Sequence, residues 1–230
     1  MKLVVRREWI LSPEMELLRA RVLGYERGQT GDAFDARSSH VVAYVDGEPV
    51  GMVRETPARP SLLARWARGC WSLPTGSDVV ELNRGVVGDA WRRRGVYRLL
   101  MLEVMASLPT ESVKTATAAV EPDFVGRRFL EGLGFGTAGP RLLFRDEPRE
   151  RTLVVPILTA VDAEQQRRWQ TMRAAWKEML ARADVLVVGS ADRRSAPPPA
   201  LRMWAPEGSA AEGGTPARER DGLQTPDSAD

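Results

Sequence analysis

Histidine and cysteine are nearly missing from this chain of 230 residues: each occurs once, as His40 and Cys70. A single cysteine excludes an intramolecular disulfide and cysteine-based metal sites, and a single histidine excludes multi-histidine metal centres. With so little histidine, a serine-hydrolase triad is disfavoured too. Cys70 has no histidine near it in sequence, so buried packing is its expected role rather than nucleophilic attack. His40 precedes a run of β-branched residues and is expected to be structural. Lysine is scarce as well, confined to Lys2, Lys114 and Lys177, which leaves arginine to carry almost all the positive charge. No stretch approaches the ~20 apolar residues that a membrane span requires. The first residues are too charged, and their apolar run too short, for a signal peptide. A soluble, cytoplasmic protein is therefore expected, with no nucleic-acid partner: 33 basic and 31 acidic residues leave a net charge of only +2.

What is present is enough for a core. Hydrophobic residues make up 43% of the chain. Residues 2–6 read as a first strand. Ser12-Pro13-Glu14 then marks a helix start, with serine as cap and proline in the first turn, running to about Leu23. Residues 24–39 are polar and glycine-bearing, a long loop of the kind that often carries function. Residues 41–45 and 49–54 flank Asp46-Gly47, a strong hairpin signal. A short helix is expected over 62–71, with Trp66 and Trp71 in the core or a cleft. Strands follow at 79–87 and 113–120, with helices at 98–105 and 122–132. Short strands are expected near 142–144 and 153–158. An amphipathic helix over 162–183 carries Trp169, Met172, Trp176 and Leu180 near one face. From about Gly189 serine, alanine, glycine and proline dominate, including Pro197-Pro198-Pro199. The division expected is one domain over residues 1–185 and a disordered tail over 186–230.

The most informative stretch lies between Glu81 and Gly95, reading Glu-Leu-Asn-Arg-Gly-Val-Val-Gly-Asp-Ala-Trp-Arg-Arg-Arg-Gly. A buried strand feeds a turn bearing three arginines and a glycine, and a helix begins there. Unpaired N–H groups and the positive end of the helix dipole, flanked by arginines, make a phosphate cradle. Arg92, Arg93, Arg94, Gly95 and Val96 are its candidate members. Glu81, on the strand, is a candidate base beside a phosphate-bearing donor. The plain alternative is a structural ion pair of Glu81 with Arg84. Strict alternation places those two on opposite faces of the strand, so for them to act together a bulge is required.

The order of elements resembles that of the GNAT acyltransferase superfamily. Arg92-Arg93-Arg94-Gly95-Val96-Tyr97 resembles that family's pyrophosphate loop, with Tyr97 in place of a small residue. Phe129-Leu130-Glu131-Gly132-Leu133-Gly134-Phe135 resembles its later helix end, with Leu130 where many members carry a tyrosine that protonates the leaving thiolate. A narrower resemblance is to acyl-homoserine-lactone synthases and the related N-acyl amino acid synthases. It rests on Leu18-Arg19-Ala20-Arg21-Val22, Asp32-Ala33-Phe34-Asp35, Gly51-Met52-Val53-Arg54 and Glu81-Leu82-Asn83-Arg84. Leu23 stands where those synthases have phenylalanine, Gln29 where they often have tryptophan, and Asn83 replaces serine.

The resemblance implies a three-layer α-β-α fold with a mixed central sheet and a V-shaped splay between its two central strands. It implies transfer of an acyl group from an acyl carrier protein or coenzyme A thioester to an amino-acid-type amine, with S-adenosylmethionine the leading acceptor and no tightly bound cofactor. Glu81 and Arg84 would be catalytic. Arg19, Asp32, Asp35 and Arg54 would bind the acceptor, and Val87 with residues 92–96 the donor's pantetheine and phosphates. An arginine-rich mouth suits an acidic carrier protein. Formation of a non-lactone amide, and a catalytically silent module that only binds acyl thioesters, are the alternatives.

Overall fold

The computed structural model describes residues 2–24, 31–57, 78–122, 124, 126–139, 142–146, 149–182 and 186–188. The expected helix over 62–71, with Trp66, Cys70 and Trp71, lies outside them, as does Gln29.

Strand β1 (Lys2–Glu8) leads to helix α1 (Pro13–Leu23). Ser12 Oγ accepts the Met15 N–H, Pro13 fills the first turn, and Gly24 closes the helix at φ +72° in the left-handed region. Strands β2 (Ser39–Val45) and β3 (Glu48–Pro57) form the hairpin. Its two turn residues, Asp46 and Gly47, both have positive φ, as a two-residue primed turn demands. There follow β4 (Val79–Val87), α2 (Val96–Ser107), β5 (Thr115–Val120), α3 (Arg127–Gly132), β6 (Gly136–Thr137), β7 (Leu142–Asp146), β8 (Arg149–Ala160), α4 (Ala163–Arg182) and β9 (Leu186–Val188). Helix α3 is shorter than the sequence suggests. The Phe124 N–H bonds the Glu121 carbonyl and the Arg127 N–H the Phe124 carbonyl, and the helix starts only after Gly126, a residue that costs stability inside a helix. Strand β9 lies just past residue 185, where the domain was expected to end, and pairs with β1. The expected tail beyond it lies outside the described residues.

The strands run in the order β6-β8-β5-β4-β3-β2-β1-β9, with β7 pairing β8. The β4–β5 and β1–β9 pairs are parallel and the others antiparallel, so the sheet is mixed. Strand alternation sends side chains to two cores. Val41, Ala43, Val53 and Leu82 pack against α2 and α4 on one face, and Val42, Met52 and Val86 pack against Met15 and Leu18 of α1 on the other. The result is the three-layer arrangement.

Strands β4 and β5 pair only from Val79 with Thr115 to Leu82 with Ala118. Beyond that point β4 stays with β3 as far as Val87, and β5 stays with β8 as far as Val120. The two central strands therefore part, as a V. On the outside of α2 lies α4, anchored by Trp169. Its ring is fully buried, and its indole N–H donates to the Leu133 carbonyl at 2.9 Å. Glu103 of α2 pairs with both Arg173 and Lys177 of α4.

Candidate active site

Of the six residues assigned above to catalysis or acceptor binding, all but Glu81 meet in one ion-pair network on the α1 face of the sheet. Arg19 of α1 and Arg54 of β3 are both 0% exposed, a costly state for a guanidinium unless carboxylates accept its hydrogen bonds. The loop before β2 supplies them. Arg19 donates to both oxygens of Asp35, at 2.9 and 2.8 Å. Arg54 Nη1 donates to Asp32 at 2.6 Å and to Asp35 at 2.9 Å, and Arg54 Nε donates to Asn83 Oδ1 at 2.6 Å. A single 3-10 turn, Asp35–Arg37, follows. The two aspartates also order the loop itself: Asp35 accepts the Asp32 N–H, and Asp32 accepts the Phe34 N–H. Burial alone would raise the Asp35 carboxyl. The hydrogen bond from Arg19 and the charges of Arg54 and Arg19 outweigh it and hold the group well below the usual carboxylate range.

Glu81 joins the network at one remove. It is 2% exposed, and Asn83, two residues on along the same face, donates to its carboxylate at 3.2 Å. Asn83 thus connects Arg54 to Glu81. Next to them lies His40, fully buried. Neither of its ring nitrogens has a hydrogen-bond partner among the described residues, and Nε2 is 3.8 Å from Asp35. Burial pushes its pKa down from 6.5 to about 4, against the opposing pull of Asp35.

Arg84 reaches the same face by the bulge that the alternation of β4 requires. Arg54 pairs with Asn83 and Met52 with Val86, so Val53 alone faces both Arg84 and Gly85. Arg84 takes φ +51°, unusual for a residue with a side chain, and its guanidinium comes within 3.4 Å of Asp32. Strain of this kind tends to collect at functional sites.

The bulge borders the parting of the strands. A notch of about 310 Å3 occupies it, walled on the α2 side by Val53, Leu82, Tyr97, Met101 and Leu130, and reaching Leu23, Asn83 and Arg84. Past Leu82 the edge of β4 that faces β5 has no strand partner among the described residues, and Asn83, Arg84 and Gly85 of this stretch line the notch. Just past Val87 comes the arginine turn. Arg92, Arg93 and Arg94 are all exposed. Arg92 pairs with Asp89 and also bonds the Val87 carbonyl, and Arg94 stacks over Trp91. Gly95 caps α2 at φ +80°, which presents the first N–H groups of that helix beside the arginines. A second cavity, about 460 Å3, lies between α2, α3 and α4, where Arg98 is held between the rings of Phe129 and Trp176.

Residues 7–135 match the acetyltransferase (GNAT) family. The chain belongs to this family. No curated protein matches it in sequence. Among solved structures, its fold is similar to that of the CoA-dependent acyl-homoserine lactone synthase MesI, with 16% identity, 74% of this chain and 95% of that one covered, and a TM-score of 0.54. It is similar also to the CoA-dependent acyl-homoserine lactone synthase BjaI, with 14% identity, 82% and 93% coverage and a TM-score of 0.59. TofI gives 20% identity, 74% and 97% coverage and a TM-score of 0.54. At these identities the likeness is one of fold.

In this GNAT chain the structure gathers the sequence-derived candidates into two groups. Arg19, Asp32, Asp35, Arg54 and Arg84 form one ion-pair network, tied through Asn83 to Glu81. Val87, Arg92, Arg93, Arg94, Gly95 and Val96 lie together at the far end of β4. Arg19 is fully buried, and both oxygens of Asp35 accept its hydrogen bonds. Asn83, His40 and Tyr97 are the participants that sequence reasoning left out. The signal for Asn83 was its alternation with Glu81, and for Tyr97 its bulk in a position that is small in the family. Among the described residues no cluster of histidine, cysteine or acidic side chains could hold a metal, and no helix is long and apolar enough to cross a membrane.

Proposed function

We propose that the protein is an N-acyltransferase. It moves an acyl group from a coenzyme A or carrier-protein thioester to the amine of an amino-acid-type acceptor, with S-adenosylmethionine, and hence an acyl-homoserine lactone, as the leading case. The observation that carries this reading is an apolar notch, opened by the parting of β4 and β5, lying between an arginine-rich helix N-terminus and a buried arginine–carboxylate network. A thioester has that form: a phosphate-bearing handle at one end and an apolar acyl group at the other.

In this reading the donor phosphates rest on Arg92, Arg93, Arg94 and the N–H groups of Gly95 and Val96. Val87 lies beside the pantetheine. The thioester carbonyl enters the notch, where N–H groups of the open edge of β4 receive its developing negative charge. The acceptor lies over the network. Arg54 Nη2 is a buried donor without a partner among the described residues and suits the acceptor's carboxylate. Asp32, the more exposed of the two aspartates, suits an ammonium or sulfonium. The acceptor arrives as an ammonium, which is no nucleophile. Glu81 takes its proton, directly or through water; the freed amine attacks the carbonyl, the C–N bond forms, the C–S bond breaks and the thiolate leaves. Leu130 lines the notch where many family members carry a tyrosine, and it has no proton to give, so the second proton that the nitrogen sheds as the amide forms reaches the thiolate through water. In lactone formation the acceptor's carboxylate oxygen then attacks the carbon bonded to sulfonium and expels methylthioadenosine. The exposed arginine turn also suits an acidic carrier protein.

Support for the leading case comes from the similar structures. One is described with SAM and isopentyl-CoA, and two with MTA. Leu23 favours a second product class: it lines the notch where the resembled synthases have phenylalanine, which alters the acceptor's surroundings. Mass spectrometry after incubation with S-adenosylmethionine, other amino acids and a panel of acyl donors separates the two. Methylthioadenosine with an acyl-homoserine lactone is the expected result. An acyl amide without methylthioadenosine would move the assignment to a non-lactone acyltransferase, and no product from any donor would leave a binding module.

A further inference from the structure

Tyr97 stands where the pyrophosphate loop that this chain resembles has a small residue. It sits in the first turn of α2, directly after the phosphate cradle, and its ring projects into the notch. Two contacts hold it there. On one side the ring lies against Gly85 of β4, so close that a Cβ on Gly85 would stand 3.2 Å from Tyr97 Cε2. On the other it meets Phe124, which follows β5, edge-on at 5.6 Å and 84°. A tyrosine thus stands between β4 and the segment that follows β5, and a glycine of β4 makes room for it. The remaining notch of about 310 Å3 is at the small end of ligand cavities, which run roughly 300–1,000 Å3. That space must also admit the thioester itself.

We propose that Tyr97, backed by Phe124, is the specificity-determining wall of the acyl pocket and restricts this enzyme to donors with short acyl chains. This rests on the N-acyltransferase reading above. Volume, not the hydroxyl, is what Tyr97 contributes. A chain too long for the notch must displace a ring packed between Gly85 and Phe124, whereas a short one leaves it in place. Apolar pockets discriminate by about tenfold or more for each methylene that does not fit.

The test is a ladder of straight-chain acyl donors from acetyl to tetradecanoyl, carried on coenzyme A and on acyl carrier protein, with S-adenosylmethionine and other amino acids as acceptors. Thiol release is followed for the wild type, Tyr97→Ala, Tyr97→Phe and Phe124→Ala, with a melting curve for each variant. The wild type should have its highest kcat/KM at the short end. Tyr97→Ala should gain at least about tenfold for longer donors relative to short ones, Phe124→Ala should shift the same way, and Tyr97→Phe should keep the wild-type optimum. If Tyr97→Ala does not fold, Phe124→Ala decides. A wild type that prefers long chains, folded alanine variants with the wild-type profile, or a shift in Tyr97→Phe as large as in Tyr97→Ala would each overturn the proposal while leaving the acyltransferase reading intact. A wild type that releases no thiol from any donor would overturn that reading and this one together.

Discussion

Arg54 carries a full charge into a space closed to solvent, and two aspartates 2.6 and 2.9 Å away make this tolerable. Removing one side of a buried pair costs more than the pair contributes, because the other side is left uncompensated. Arg54→Ala should therefore lower the unfolding free energy by about 3–5 kcal/mol in urea titration. Arg54→Lys should rescue only part of this, since an ammonium cannot reproduce the fork that spans Asp32, Asp35 and Asn83. His40 makes a prediction about pH. Between 6.5 and about 4 the unfolded chain takes up a proton on this imidazole that the folded protein refuses. The unfolded state thus binds more protons in that window, and stability must fall as pH drops through it, by up to roughly 1.4 kcal/mol per unit. Asp35, held below the usual carboxylate range, loses its contribution only at still lower pH. Melting curves from pH 7 to 4 should show a steeper loss for the wild type than for His40→Gln. At this scale the aspartates and arginines of the network were singled out only through the resemblance of their motifs to those of acyl-homoserine-lactone synthases. His40 and Asn83 were not, because their roles arise from the neighbours that folding places around them.

The elements that define the site were mostly readable, and the reasons are local. Ser12 and Pro13 start α1, Asp46-Gly47 turns the hairpin, and β-branched residues mark β4. The bulge in β4 was foreseeable only as a requirement. Glu81 and Arg84 are three residues apart and must face opposite ways unless a residue is inserted, and only the pairing with β3 reveals where the insertion falls. Long-range packing was least legible. Nothing near Gly95 in sequence announces Trp176, 81 positions on, whose Cζ2 would lie 2.4 Å from a Cβ at Gly95. Gly95→Ala therefore meets two obstacles: a left-handed backbone, worth about 1–2 kcal/mol, and a collision with α4. Its melting temperature should drop, and affinity for coenzyme A, read by calorimetry, should drop with it. Gly95→Ala with Trp176→Ala should relieve the collision but keep the backbone strain.

Across the whole molecule the sheet separates two kinds of chemistry. Apolar contacts with α2 and α4 dominate one face, the charged network occupies the other beneath α1, and the notch joins them where β4 and β5 part. The order of strands and helices was legible because hydrophobic period and turn chemistry are properties of short segments; the three-layer sheet with its parting strands followed only from the resemblance of that order to the GNAT superfamily. The dimensions of the notch were not legible, since they depend on which side chains meet across it. The central claim is that a thioester is cleaved there with Glu81 as base. Free-thiol release from acyl-coenzyme A and acyl-carrier-protein donors, with amino-acid acceptors including S-adenosylmethionine, tests it most directly in the wild type and Glu81→Gln. The account predicts acceptor-dependent thiol release by the wild type, a fall of about 10²–10⁴ in turnover for Glu81→Gln, and donor binding retained. Equal turnover by the two proteins, or no thiol release by the wild type from any donor, would contradict it.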